Sequence, residues 1–361
     1  MKRLLCIVGS MDVGGAETFL MKVYRGIDRT KYQFDFCVAK KEKNSYEDEI
    51  ISLGGKMYRI TPKTKGILKN FNDIKKIVKE NKYEYVLRIS QNSLSSVELF
   101  AAKLGGAKKL IFRSSNTSVH GGKLETIVHY LFRPFSNMIS NVKIAPSKEA
   151  AKFMFGRRKY FQINNGVDIE KYKFSIKNRN KIRKEFNVNK DTKVIGHVGR
   201  FTFQKNHKFL IDIFNEYQKV NSNSELWLFG SGELENEIKK YSKNNKNIKF
   251  LGVRKDINEI YSAMDCYVFP SLFEGMPNTV IEAQTSGLPC LVSNTITNDC
   301  NISDNVIFLP LDNNVKKWSD KINYLSNNER NNKIVFIKNN HYDIIDVIKE
   351  FEKAVFGDIH G

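Results

Sequence analysis

Short apolar runs alternate with helical stretches along almost the whole chain, and this alternation constrains the fold more than any other feature. The runs Leu4–Ser10, Phe34–Ala39, Met57–Ile60, Tyr85–Ile89, Lys109–Arg113, Val142–Ala145 and Tyr160–Ile163 are short and mostly apolar. Strands buried on both faces read this way, whereas a strand with one wet face alternates polar and apolar residues. A helix between successive strands implies parallel pairing, because a parallel crossover needs a dozen or more residues. The series is interrupted once. From Asp168 to Lys193 the chain is polar and charged, with one short helix at Arg179–Phe186. It resumes at Val194-Ile195-Gly196-His197-Val198 and continues through Leu226–Phe229, Ile248–Leu251, Tyr267–Pro270, Pro289–Ser293 and Val306–Leu309, ahead of a helical tail from Val315 to Phe356. The fold class expected is α/β, with two Rossmann-like doubly wound domains over residues 1–168 and 169–339. At 361 residues the chain has room for both. Two such sheets would present their strand C-terminal ends to a central cleft, where ligands bind in this architecture. A helix over Lys123–Phe132 is expected to break at Pro134.

Several function classes are excluded by composition. No run approaches the ~20 apolar residues of a membrane-spanning helix. The start, Met1 to Val8, reads as a first core strand; its apolar run is too short for a signal peptide and runs on without a cleavage pattern. The five cysteines are scattered, with no Cys-x-x-Cys and no Cys/His cluster. That is the usage of reduced, buried thiols in a cytoplasmic protein, with neither a disulfide framework nor zinc expected. The net charge is +20, and it is uneven: residues 1–170 hold 31 Lys and Arg against 16 Asp and Glu, the remainder 28 against 23. An excess of this kind fits a phosphorylated substrate, an anionic membrane surface or simple lysine-rich composition. Nucleic acid is not expected as a partner, since no binding motif for it is present.

Four stretches carry chemistry. In Phe269-Pro270-Ser271-Leu272-Phe273-Glu274-Gly275-Met276-Pro277-Asn278-Thr279-Val280-Ile281-Glu282, a strand turns into a helix that starts near Asn278. Glu274 stands at the mouth of that helix, where backbone N–H groups face an anion, and Glu282 about one turn inside. Carboxylates there are suited to sugar hydroxyls; the alternative is a buried helix with solvated acids. In Gly199-Arg200-Phe201-Thr202-Phe203-Gln204-Lys205-Asn206, two cations flank a loop after a strand and are able to clamp a diphosphate in place of a metal ion, unless they are ordinary surface charges. Gly14-Gly15-Ala16-Glu17-Thr18 and Gly230-Ser231-Gly232-Glu233 are glycine turns at helix starts, open to an anion or required for packing. His197 reads as a core histidine and His207 as a helix-start residue. His120, in a loop of the first domain, is the one histidine there placed to reach a ligand.

Taken together, these stretches resemble the retaining glycosyltransferases of family 4, with the GT-B fold. The likeness spans nearly the whole chain. It includes Asn164-Asn165-Gly166-Val167-Asp168, Phe250-Leu251-Gly252 and Gly287-Leu288-Pro289 beside the four motifs. It is greatest to bacterial exopolysaccharide and capsular polysaccharide hexosyltransferases. The resemblance implies that Arg200 and Lys205 hold the nucleotide diphosphate and stabilise the leaving group. It gives Glu282 the ribose hydroxyls, and it gives Glu274, with backbone N–H groups from Gly275 to Thr279, the donor sugar. Gly15 would contact the phosphate from the N-terminal domain. The donor-binding set is then Gly14, Gly15, Arg200, Lys205, Gly230, Gly275, Met276, Asn278, Thr279 and Glu282, with Arg200, Lys205 and Glu274 closest to the chemistry. The donor is a nucleotide sugar, expected to be UDP-linked, and neither a metal nor another cofactor is expected. The acceptor is a saccharide or a polyprenyl-pyrophosphate-linked saccharide. The last helix, about residues 340–361, is expected to return to the first domain.

The chain departs from the family in its first domain. Relatives carry His-Ser-His where this chain has Leu87-Arg88-Ile89, and His-Ser-His-Asn-Thr where it has Arg113-Ser114-Ser115-Asn116-Thr117. Arg113 and His120 are the candidates on the acceptor side. The loss leaves two other readings open, a nucleotide-sugar-binding protein without transferase activity and a sugar-nucleotide epimerase. The segment Leu124-Ile127-Val128-Leu131-Phe132-Phe135, with Lys123 and Arg133, is amphipathic. It belongs either to the core or to a peripheral contact with the inner membrane face.

Overall fold

The computed structural model describes residues 1–116, 122–328, 330 and 334–357. It divides into two compact units, one comprising Met1–Gly166 with the chain from Ile344 onward, the other Val167–Asp343. Among the described residues, the first unit has seven parallel strands. They are β1 (Lys2–Val8), β2 (Tyr32–Val38), β3 (Met57–Arg59), β4 (Tyr85–Ser90), β5 (Lys109–Ser114), β6 (Val142–Ala145) and β7 (Phe161–Gln162), ordered β3-β2-β1-β4-β5-β6-β7. The apolar runs become strands because both faces are covered. Leu4, Cys6 and Val8 of β1 enter one core, and Leu5 and Ile7 the other, the period of two that a pleated strand imposes. The first core is closed by helices Gly15–Gly26 and Ile344–Phe356: the Phe19 and Phe351 rings lie 6.0 Å apart and Phe356 stacks on Tyr32 at 4.2 Å. The second core is closed by Ile67–Asn81, Ser96–Leu104 and Lys148–Phe155.

In the second unit the described strands are β8 (Lys193–Val198), β9 (Ser224–Phe229), β10 (Ile248–Phe250), β11 (Cys266–Phe269), β12 (Cys290–Ser293) and β13 (Val306–Leu309), ordered β10-β9-β8-β11-β12-β13. Helices His207–Val220 and Val315–Ser326 cover one face, and Ile257–Ala263 and Asn278–Thr285 the other. In this sheet the strand order reverses between β8 and β11. Such a switch point, at the C-terminal ends of the strands, is the usual ligand position in a doubly wound sheet.

The helix expected to break at Pro134 continues. It runs from Lys123 to Ile139 with Pro134 inside it. Proline costs about 3 kcal/mol in a helix interior, and packing of the final turn offsets that cost here. Ser136 and Ile139 are buried, and Asn137 Nδ2 donates to Phe155 O at 3.2 Å. Its other face is not core. Leu124, Ile127 and Leu131 are 73%, 63% and 71% exposed, which leaves an apolar stripe at solvent. No described helix is long and apolar enough to cross a membrane.

In each unit a carboxylate in or beside the sheet gathers donors from distant segments. In the first unit the fully buried Asp35 accepts from Arg3 Nε at 2.7 Å and Nη2 at 2.6 Å, from Tyr83 Oη at 2.6 Å and from Lys56 N at 2.8 Å. In the second unit Asp265 accepts from Arg179 Nη2, Arg183 Nη2 and Val194 N, each at 2.7 Å. The same two arginines donate to carbonyls at the C-terminal end of helix Ile257–Ala263, where the helix dipole favours cations. Removing the carboxylate strands two guanidinium groups. Asp265→Ala is therefore expected to destabilise the second unit by about 3–5 kcal/mol. Urea unfolding followed by tryptophan fluorescence checks this, since Trp227 and Trp318, the two tryptophans of the chain, both lie in that unit.

Candidate functional site

The loop after β8 and the turn after β11 are stapled together. Leu272 N donates to Gln204 O at 2.8 Å, and Gln204 Nε2 donates to Phe273 O at 2.7 Å. This brings Lys205 against Glu274, with Nζ 2.5 Å from Oε1 and both side chains largely shielded from solvent. The ammonium also sits 4.5 Å above the face of Phe269, where the ring quadrupole favours a cation. Two residues expected to serve different parts of a ligand are thus partners of one another. Arg200 of the same loop is exposed and makes no ion pair among the described residues.

Helix Asn278–Thr285 begins directly after this turn, with Pro277 as its cap residue. Proline has no N–H to lose at a helix start. Val280, Ile281 and Ala283 are buried, which fixes the helix, and Glu282 is 7% exposed beneath the mouth. The Tyr261 hydroxyl lies 3.5 Å from Glu282 Oε2. Gly275, Asn278 and Thr279 are half-buried at the mouth. Met276 packs with the Ile302 and Tyr342 cluster, and Tyr342 Oη lies 3.7 Å from its sulfur. Tyr267, on β11, joins the two sides: its hydroxyl donates to Val198 O at 3.1 Å and interacts with Thr279. Burial and its charged neighbours push the Tyr261 and Tyr267 phenols well above their ordinary range, so both remain neutral donors. Neither tyrosine stands out in the sequence, because both sit inside apolar runs that read only as core.

Gly230 has a structural reason of its own. Its φ is +136°, and a Cβ there would collide with Gly199 O, so the loops after β8 and β9 touch through backbone alone. Gly14 and Gly15 lie in the first unit, at the start of helix Gly15–Gly26, where the Glu17 carboxylate occupies the space that a Gly14 side chain would need. Arg113, at the end of β5, is 1% exposed. Its guanidinium stacks 3.7 Å from the Phe19 ring centroid and donates from Nη2 to Asn165 Oδ1 at 2.8 Å. Burial lowers its pKa to about 9. Arg88 is likewise internal, paired with Glu98 and donating to Ile7 O at 3.0 Å. His120 lies outside the described residues.

His197 and His207 pack under the Arg200–Lys205 loop. His197 is fully buried, its Nδ1 2.9 Å from Val268 O, and its ring meets that of His207 edge-on at 4.9 Å. Burial holds both imidazoles neutral, with the positive charge of Lys205 acting in the same direction. The His207 pKa falls to about 4, and that of His197 well below the ordinary value.

Residues 178–342 match the family model "Glycosyl transferases group 1". The putative glycosyltransferase EpsF of Bacillus subtilis is 30% identical over 336 residues, which cover 89% of this chain and 87% of that protein. The Escherichia coli UDP-Gal:alpha-D-GlcNAc-diphosphoundecaprenol alpha-1,3-galactosyltransferase is 29% identical, over 64% of this chain and 63% of its own. The capsular polysaccharide biosynthesis glycosyltransferase CapH of Staphylococcus aureus is 25% identical over 81% and 82%. Among solved structures, Anabaena Alr3699/HepE in complex with UDP-glucose superposes with a TM-score of 0.79 at 17% identity, covering 99% of this chain and 100% of that one. The fold is that of the GT-B glycosyltransferases, and the chain belongs to the group 1 glycosyl transferases.

The two buried histidines have a measurable consequence. The unfolded chain takes up a proton at an ordinary histidine pKa near 6.5, while folded His207 stays neutral down to about 4. The stability that His207 supports is therefore present above pH 6.5 and is lost as the pH falls toward 4. His207→Phe, which keeps a stacked ring, is expected to reduce the loss of stability between pH 7 and pH 5 by about 2 kcal/mol. The check is urea unfolding followed by tryptophan fluorescence at the two pH values.

Proposed function

We propose that this chain transfers a hexosyl or N-acetylhexosaminyl group from a UDP-sugar to a saccharide acceptor, with retention of configuration and without a metal ion. The observation that carries the reading is the Lys205–Glu274 pair at 2.5 Å, set beside exposed Arg200 at the switch point of the second sheet. In this reading the donor diphosphate takes over Lys205, joined by Arg200, and releases Glu274 to the sugar hydroxyls. Glu282 receives the ribose. As the bond from the anomeric carbon to the diphosphate oxygen breaks, the acceptor oxygen forms its bond on the same face. The acceptor's proton passes to a departing phosphate oxygen. Charge accumulates on the leaving group, and the held ammonium of Lys205 with the guanidinium of Arg200 would stabilise it. HepE was solved with UDP-glucose, and the E. coli relative is named for a UDP-galactose donor and a diphosphoundecaprenol-linked acceptor. Both support a UDP donor here, and the second supports a lipid-linked acceptor.

A lipid-linked acceptor also gives a use to the stripe Leu124, Ile127 and Leu131 and to the basic N-terminal half. We place that helix face at an anionic membrane surface, where apolar insertion and lysine attraction add.

Removing a single charge-stabilising donor costs about 100- to 1,000-fold in kcat in comparable sites. Lys205→Ala and Glu282→Ala are expected to reduce turnover of UDP-glucose or UDP-N-acetylglucosamine on that scale, with activity unchanged by EDTA. Activity that EDTA abolishes and both variants retain contradicts the assignment. The membrane contact predicts that the full chain sediments with phosphatidylglycerol vesicles at low salt and is released as screening rises. Replacing Leu124, Ile127 and Leu131 by Asp should abolish sedimentation; equal sedimentation of both proteins removes this helix from the account.

A further inference from the structure

We propose that His197 and His207 are positioning residues for Lys205, fixing where its ammonium stands. The inference rests on the assignment of Lys205 to the donor diphosphate. It starts from an imbalance inside the second unit. His197, on β8, points Nδ1 at Val268 O on β11, 2.9 Å away. A carbonyl only accepts, so Nδ1 carries the proton, and in the neutral ring Nε2 is left as a bare lone pair. That buried lone pair has no hydrogen-bond partner among the described residues. It lies 2.9 Å from where a Cβ on Gly199 would stand, and Lys205 Cδ and Cε each come within 3.4 Å of the same point. The negative edge of the imidazole and the last methylenes of the lysine therefore border one space, which a glycine at 199 keeps open.

His207 completes the shelf. Its ring stacks on Phe201 at 4.3 Å and meets His197 edge-on, and neither of its nitrogens has a hydrogen-bond partner among the described residues. Phe269 stacks against His197 at 5.6 Å and carries the Lys205 ammonium over its face. Tyr267 lies parallel to His197 at 6.2 Å, and its hydroxyl is committed to Val198 O. Two phenylalanines would fill the same volume without leaving three ring nitrogens unpaired. Buried, unpaired polar groups that persist call for an explanation. Here the explanation is orientation: Val268 O fixes the tautomer, so the negative end of the His197 dipole faces the lysine, and His207 locks the ring edge-on. A proton on either ring would put a second cation beside the ammonium.

A double-mutant cycle on the full chain separates this role from simple packing. The probe is UDP, with binding measured by calorimetry on the wild type, Lys205→Ala, His197→Phe and the double variant. The expected result is about tenfold weaker binding for His197→Phe when Lys205 is present and less than about twofold when it is absent, a coupling typical of residues in contact. His197→Gln, which restores an N–H donor and a lone-pair oxygen, should recover most of the affinity. Equal losses in both backgrounds, or no loss in either, overturn the inference while leaving the diphosphate assignment in place. A Lys205→Ala variant that binds UDP as tightly as the wild type overturns both. Should His197→Phe fail to fold, His207→Phe carries the same cycle with the same expected results.

Discussion

A parallel sheet covered on both faces leaves polar groups no place except at the strand ends, and the organisation of both units follows from that constraint. Inside the sheets, strand residues alternate between two apolar cores. Charge is admitted where several donors converge on one acceptor. Asp35 and Asp265 each gather an arginine and a backbone N–H, and Asp265 adds a second arginine. These carboxylates hold the scaffold. The strand C-terminal ends hold the groups that remain available for chemistry.

At the β8 and β11 loops the charges are arranged to be self-sufficient without a ligand. Lys205 and Glu274 neutralise each other, so neither is stranded in a partly buried position, where an unpaired charge is expensive. A diphosphate that takes the lysine frees a carboxylate just where sugar hydroxyls would need an acceptor. The surrounding parts are tied to one another. Gly230 and Gly199 meet backbone to backbone, Gln204 staples two turns, and Tyr267 ties Val198 to the helix start.

The architecture was legible in the sequence because strand burial is a local signal. Runs such as Leu4–Ser10 and Leu226–Phe229 carry it in their own composition, and the turn before Asn278 announces a helix start through Pro277. Pairings between distant residues were not legible. Lys205 and Glu274 are 69 positions apart, and each reads as a ligand group until the fold sets one against the other. Pro134 was misleading because the cost of proline is local while the packing that outweighs it comes from elsewhere, through Phe155. Arg113 reads as an acceptor-side candidate at the end of a strand, yet its neighbours bury it against Phe19. His197 reads as core and His207 as a helix start, as they prove to be, but nothing in their spacing of ten reveals that their rings touch or that three of their four ring nitrogens lack a partner among the described residues.

The central claim is that Lys205 changes partner when the donor binds. A crystal structure of the full chain with UDP bound tests it most directly. The account predicts diphosphate oxygens within hydrogen-bonding distance of Lys205 Nζ and Arg200, with Glu274 no longer bonded to the lysine. A diphosphate bound elsewhere, with the Lys205–Glu274 pair intact, would contradict it.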